Sequence, residues 1–106
     1  IEVVRLDNWK RRFLFDQCAL PWAPPSPNIP TAESALAYVG TCLFEGTNLN
    51  EGRGTETPFT VFGAPWLDPD AVLRRLPAEA ALGCRLNPTE YTPIAIPGKA
   101  TSPRYK

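Results

Sequence analysis

The chain has 106 residues, 43% hydrophobic and 21% charged, with eleven basic side chains balancing eleven acidic ones and no histidine. A formal charge of zero, with no basic run beyond Lys10-Arg11-Arg12, leaves no electrostatic footprint for nucleic acid or an anionic membrane. Without histidine, Ser-His-Asp and Cys-His mechanisms and most catalytic zinc sites are excluded from what this chain does alone, and carboxylate chemistry remains.

A domain of this length buries about 60 to 70% of the surface its unfolded chain exposes, so one modest core is the ceiling. No apolar run approaches the roughly 20 residues of a membrane helix. The start, Ile1-Glu2-Val3-Val4-Arg5-Leu6, has neither an initiator Met nor a signal-peptide pattern, and the end runs out in an irregular Pro-Gly-Lys-Ala-Thr-Ser-Pro stretch before Tyr105-Lys106. The chain reads as cut from something longer. Cys18, Cys42 and Cys84 are far apart, show no C-x-x-C spacing and sit among apolar residues. Buried free thiols are the expectation, a metal site or redox motif has no support, and one disulfide stays open. No cofactor motif appears.

In chain order, Ile1 to Leu6 is β-branched enough for a short strand, and Asp7-Asn8 is a turn before Trp9-Lys10-Arg11. Phe13-Leu14-Phe15 is expected to supply core. From Leu20 to Pro30 five of eleven residues are proline, a density that forbids helix and denies a central strand its donors. This extended segment carries Trp22, Ser26 and Asn28, and serves either as a rigid active-site wall or as a structural strap. Thr31 is an acceptable N-cap for a helix with Glu33 in its first turn and Ala35, Leu36, Val39 and Leu43 at helical spacing. Gly40 weakens its middle, so two separate turns are expected, ending near Gly46. Phe59-Thr60-Val61-Phe62 reads as a strand, and Cys84 to Thr92 as another interrupted at Pro88. Between them Asp68 caps a second helix with Pro69 first, Asp70 beside it, and Val72, Leu73 and Leu76 on one face until Pro77. The fold class is therefore α+β: a small mixed domain with short strands, two helices and a long Pro-rich loop.

Between Glu45 and Thr55 lie three glycines, two glutamates, two asparagines, two threonines, one arginine and a single large apolar residue, Leu49. Apolar flanks pin both ends of this polar segment, which is how loops carry function. Gly46, Gly52 and Gly54 permit positive backbone dihedrals and close approach of a ligand to the main chain. Thr47, Asn48, Asn50 and Thr55 donate to and accept from hydroxyls and amides. Arg53 offers a fork of donors for a carboxylate, and Glu45 or Glu51 could bind sugar hydroxyls or act as acid or base if desolvated. The alternative is a solvated turn in which Arg53 pairs with Glu51 or Glu56. A phosphate loop fits poorly, because the terminal Gly-Lys-Ser/Thr is missing and no helix pattern follows.

Pro24-Pro25-Ser26-Pro27-Asn28-Ile29-Pro30-Thr31, Gly40-Thr41-Cys42-Leu43-Phe44-Glu45-Gly46-Thr47-Asn48, Glu51-Gly52-Arg53-Gly54-Thr55 and Gly63-Ala64-Pro65-Trp66 together closely resemble the bacterial family once known as DUF1343, associated with exo-β-N-acetylmuramidases of the NamZ type. Trp9-Lys10-Arg11 and Ile96-Pro97-Gly98-Lys99 resemble it too, so the likeness covers nearly the whole chain. Asn50 and Val39 depart from the usual pattern, which has Ser and often Pro there.

The resemblance implies a two-domain enzyme with a Rossmann-like N-terminal domain, a smaller mixed domain and a cleft between them. Residues 1–106 would be the N-terminal part of that second, C-terminal domain. It further implies release of N-acetylmuramic acid from the non-reducing end of peptidoglycan fragments, muramoyl saccharides as ligands, and an extracellular or periplasmic setting. On this reading Glu45 and Glu51 are the catalytic candidates, with the other domain supplying a principal carboxylate. Asn48, Arg53, Thr55, Asn28, Ser26 and Trp66 are the substrate-binding candidates, and no metal is called for. A non-catalytic muramoyl-binding or structural domain is the competing reading.

Overall fold

A computed structural model describes residues 1–77, 79 and 83–94. The Ile96-Pro97-Gly98-Lys99 motif and the residues after it lie outside the described residues. Two α-helices, α1 (Ala32–Thr41) and α2 (Pro69–Arg75), and two 3-10 turns (Phe15–Cys18 and Cys42–Gly46) are the regular elements among them.

Both helices begin where local chemistry dictates. The Thr31 hydroxyl accepts from Ser34 N at 3.0 Å, and Glu33 sits in the first turn of α1. Gly40 does not split the helix into two turns as expected: α1 runs through it to Thr41, whose hydroxyl donates back to Ala37 O, and a 3-10 turn then carries the chain on to Gly46. In α2 the Asp68 carboxylate accepts from Ala71 N at 3.1 Å with Pro69 at the first position. The residue before Pro77, Leu76, is already extended, since a following proline disfavours α geometry.

The expected strands do not form among the described residues. Ile1 to Leu6 is irregular and exposed. Phe59 to Phe62 is not a strand, because Phe59 takes φ 68° in a turn that Thr60 N closes onto Thr57 O. Cys84 to Thr92 also has no ladder of its own. The sheet component of the α+β expectation reduces to one antiparallel bridge, Asn50 to Gly63. β propensity describes fit to a pleated, half-buried surface, and without a neighbouring strand it does not form one.

The expected core positions also differ. Phe13 and Phe15 are half-buried and Leu14 is 57% exposed. Phe15 instead meets Trp22 edge-to-face at 4.9 Å, clasping the 3-10 turn onto the Pro-rich segment, which has neither helix nor strand. The cysteines are free but not buried: Cys18 and Cys42 are half-exposed and Cys84 is exposed.

The buried centre is Phe59, 1% exposed, with Pro58 buried beside it. Helix α1 covers it with Tyr38, whose ring stands edge-to-face on Phe59 at 4.9 Å, and with Thr41, whose hydroxyl lies 2.9 Å from Phe59 O. Ser34, 1% exposed, continues the same helical row at positions 34, 38 and 41. The large apolar residues at helical spacing point outward: Leu36 is 62%, Val39 75% and Leu43 76% exposed. Helix α1 thus uses its small and polar side to pack on the loop and leaves its apolar side uncovered among the described residues.

Candidate functional site

The loop from Glu45 to Thr55 is held by Asn50. Its backbone exchanges two hydrogen bonds with Gly63 (N to O 2.8 Å, and 2.9 Å in return). Its side-chain oxygen accepts from Gly52 N at 2.8 Å and lies 3.1 Å from the Tyr91 hydroxyl, while its amide nitrogen donates to Arg53 O at 3.3 Å. One buried asparagine therefore satisfies groups on both sides of the turn and tethers a segment 41 residues away. A second tie follows, since Ile94 N donates to Gly54 O at 2.9 Å.

Arg53 is the hub. Its Nη2 reaches the Glu45 carboxylate at 2.5 Å, its Nη1 pairs with the Glu51 carboxylate, and its guanidinium lies 5.1 Å over the Phe59 ring. Nε is buried without a hydrogen-bond partner. Burial opposes the positive charge most strongly, but the hydrogen bond donated to Glu45 and the fields of Glu51 and Glu45 outweigh it and hold the guanidinium above its ordinary range. Stability from a raised cationic pKa is complete below the unfolded value and is lost only as pH climbs through the folded one, so Arg53 does not titrate near neutrality. The carboxylates differ in setting: the Glu51 side chain is 6% exposed and that of Glu45 is 43% exposed.

The structure brings Glu45, Glu51 and Arg53 into one cluster, with Thr55 beside it: the Thr55 hydroxyl donates to Gly52 O at 2.6 Å and accepts from Thr57 N at 3.2 Å. Of the two alternatives for an internal partner, Glu51 pairs with Arg53, and Glu45 takes the place proposed for Glu56. Asn48 is exposed at the turn following the 3-10 segment, and Trp66 is 61% exposed. The hydrogen bonds at Ser26 and Asn28 close on the strap's own turn, with Asn28 N donating to Ser26 Oγ at 3.3 Å and Ile29 N to Ser26 O at 2.9 Å. Sequence reasoning missed Phe59 and Tyr91 as site residues. Phe59 was hidden in an apolar run that looked like a strand, and no local signal marks a tyrosine 41 positions from its partner. A separate apolar groove of about 290 Å³, lined by Val61, Phe62, Leu67, Val72, Leu73 and Leu86 among others, lies on the α2 side. It contains none of Glu45, Glu51 or Arg53.

Comparison with known families puts the polar loop and the Gly-Ala-Pro-Trp turn inside a known C-terminal domain. Residues 36–106 match the family described as exo-β-N-acetylmuramidase NamZ, C-terminal, and the chain belongs to that family. The match takes in the whole Glu45 to Thr55 loop, whereas Ser26 and Asn28 precede it. The chain is 41% identical over 93 residues to the peptidoglycan β-N-acetylmuramidase NamZ of Bacillus subtilis (strain 168), covering 88% of this chain and 22% of that relative. It thus spans about a fifth of the relative's length, and it is homologous to part of that enzyme. No solved structure matches it. Among the described residues no helix is long and apolar enough to cross a membrane.

Proposed function

We propose that this chain forms one wall of the cleft in which a two-domain glycosidase releases N-acetylmuramic acid from the non-reducing end of peptidoglycan fragments. The observation that carries this is the Glu45–Arg53–Glu51 cluster, built inside the segment that matches the NamZ C-terminal family. Muramic acid offers hydroxyls, an acetamide and a lactyl carboxylate. Asn48 and Thr55 suit the neutral groups, Arg53 the carboxylate, and the exposed Trp66 an apolar sugar face. Ser26 and Asn28 extend the wall along the strap.

Glu45 and Glu51 are the catalytic candidates of this chain. Both are held by one guanidinium, and a glycosidase needs two carboxyl groups about 5 to 10 Å apart across the scissile bond. A principal carboxylate is therefore expected from a Rossmann-like N-terminal domain. The outward row of Leu36, Val39 and Leu43 supports such a neighbour, because an apolar stripe at helical spacing is stable only when covered, and the Bacillus subtilis relative is several times longer than this chain. One observation favours the second reading, a muramoyl-binding wall that does not itself take part in hydrolysis: Glu51 is 4% exposed and committed to Arg53.

Sugar release from a chromogenic β-N-acetylmuramide by the full-length protein tests both readings. A catalytic glutamate loses activity by orders of magnitude on conversion to Gln with the substrate KM little changed. Full activity in both Glu45→Gln and Glu51→Gln removes this chain from the chemistry, and absence of sugar release by the unmodified protein refutes the function.

A further inference from the structure

We propose that Glu45 is an exchangeable placeholder: its carboxylate occupies, on Arg53 Nη2, the position that a ligand carboxylate takes, and it leaves when that ligand binds. The inference rests on the muramoyl reading above and adds how the site distinguishes an acidic sugar from a neutral one.

The two carboxylates on Arg53 are not equivalent. Glu51 is fixed: its side chain is 6% exposed, it lies between the Asn50 bridge and Gly52, and its carbonyl accepts from Phe59 N at 2.7 Å. Glu45 projects from the 3-10 turn with 43% of its side chain exposed, and its visible tie to the loop is the 2.5 Å contact with Nη2. A pair as open to water as this one is weakly held and competes with solvent and with other anions.

Arg53 itself is preformed. The Phe59 ring beneath it and the Glu51 carboxylate on Nη1 keep the guanidinium in place whether or not Glu45 is present. An incoming carboxylate reproduces the charge and planar acceptor geometry of Glu45, so exchange leaves no buried cation unpaired. A neutral sugar has nothing to offer in return for Glu45, and the internal pair excludes it from that position.

Calorimetric titration of the full-length protein with N-acetylmuramic acid and with N-acetylglucosamine tests this in wild type, Glu45→Ala and Glu45→Gln. Removing the internal competitor tightens N-acetylmuramic acid binding by about two- to five-fold, the range set by the strength of exposed ion pairs, and leaves N-acetylglucosamine binding unchanged. The Gln variant keeps the side-chain volume, which guards against a fold defect in the Ala variant. If wild type prefers the acidic sugar and both variants bind it as before or more weakly, Glu45 is a ligand contact or a bystander, and the exchange is refuted. If wild type shows no preference for the acidic sugar, the muramoyl reading fails and the exchange with it.

Discussion

Gly52 is a position where a single methyl group should do heavy damage. Its φ is +82°, a region that costs an L-residue about 1 to 2 kcal/mol. A Cβ there would lie 2.8 Å from Val61 O and 2.9 Å from Val61 Cγ2, inside normal contact, and one of the two obstacles is backbone. Overpacking of that kind adds about 1 to 3 kcal/mol. Gly52→Ala should therefore destabilise the fold by about 2 to 5 kcal/mol. It should also loosen the Glu51–Arg53 pair, because Gly52 N is the donor that Asn50 Oδ1 uses to hold the turn. Gly46→Ala is the control: nothing lies within 4 Å of its added Cβ, and Gly46 is not among the glycines with positive φ. Urea unfolding of the full-length variants, followed by near-UV circular dichroism, reads both. Equal loss in the two variants, or a Gly52→Ala cost under about 1 kcal/mol, would refute the steric reasoning.

Phe59→Ala removes the fully buried ring and should cost about 3 to 5 kcal/mol in the same unfolding assay, with Arg53 losing the surface on which it lies. Asn50→Ser keeps a side-chain oxygen but loses the amide that donates to Arg53 O; a loss of about 1 kcal/mol is expected, and an unchanged denaturation midpoint would show that bond to be dispensable. Among the three thiols, exposed Cys84 should react first with iodoacetamide under native conditions, ahead of Cys18 and Cys42, and peptide mass mapping gives the order.

Local chemistry alone determined much of this protein. The caps at Thr31 and Asp68, the stop before Pro77, the change of helical pitch before Gly46 and the absence of helix and strand from the proline strap follow from groups a few residues apart. The same holds for the polarity of the Glu45 to Thr55 loop, since a dense polar segment with apolar flanks has few other places to lie. Tertiary structure decided the rest. Ala35, Leu36 and Val39 mark a helix, with Leu43 in the 3-10 turn after it, but helical spacing does not say which side meets the chain, and contact with Phe59 takes the Tyr38 and Thr41 side, on whose row Ser34 is buried. Phe59 has the composition of a strand residue, yet its burial beneath Arg53 in a left-handed turn depends on Tyr38 and Thr41 covering it. The partners of Arg53, one sealed and one open to solvent, could be nominated from residue types but ranked only by burial. The candidate site was thus visible as a list of residues in the sequence, and the inequality between Glu45 and Glu51 appears only once the chain closes around Phe59.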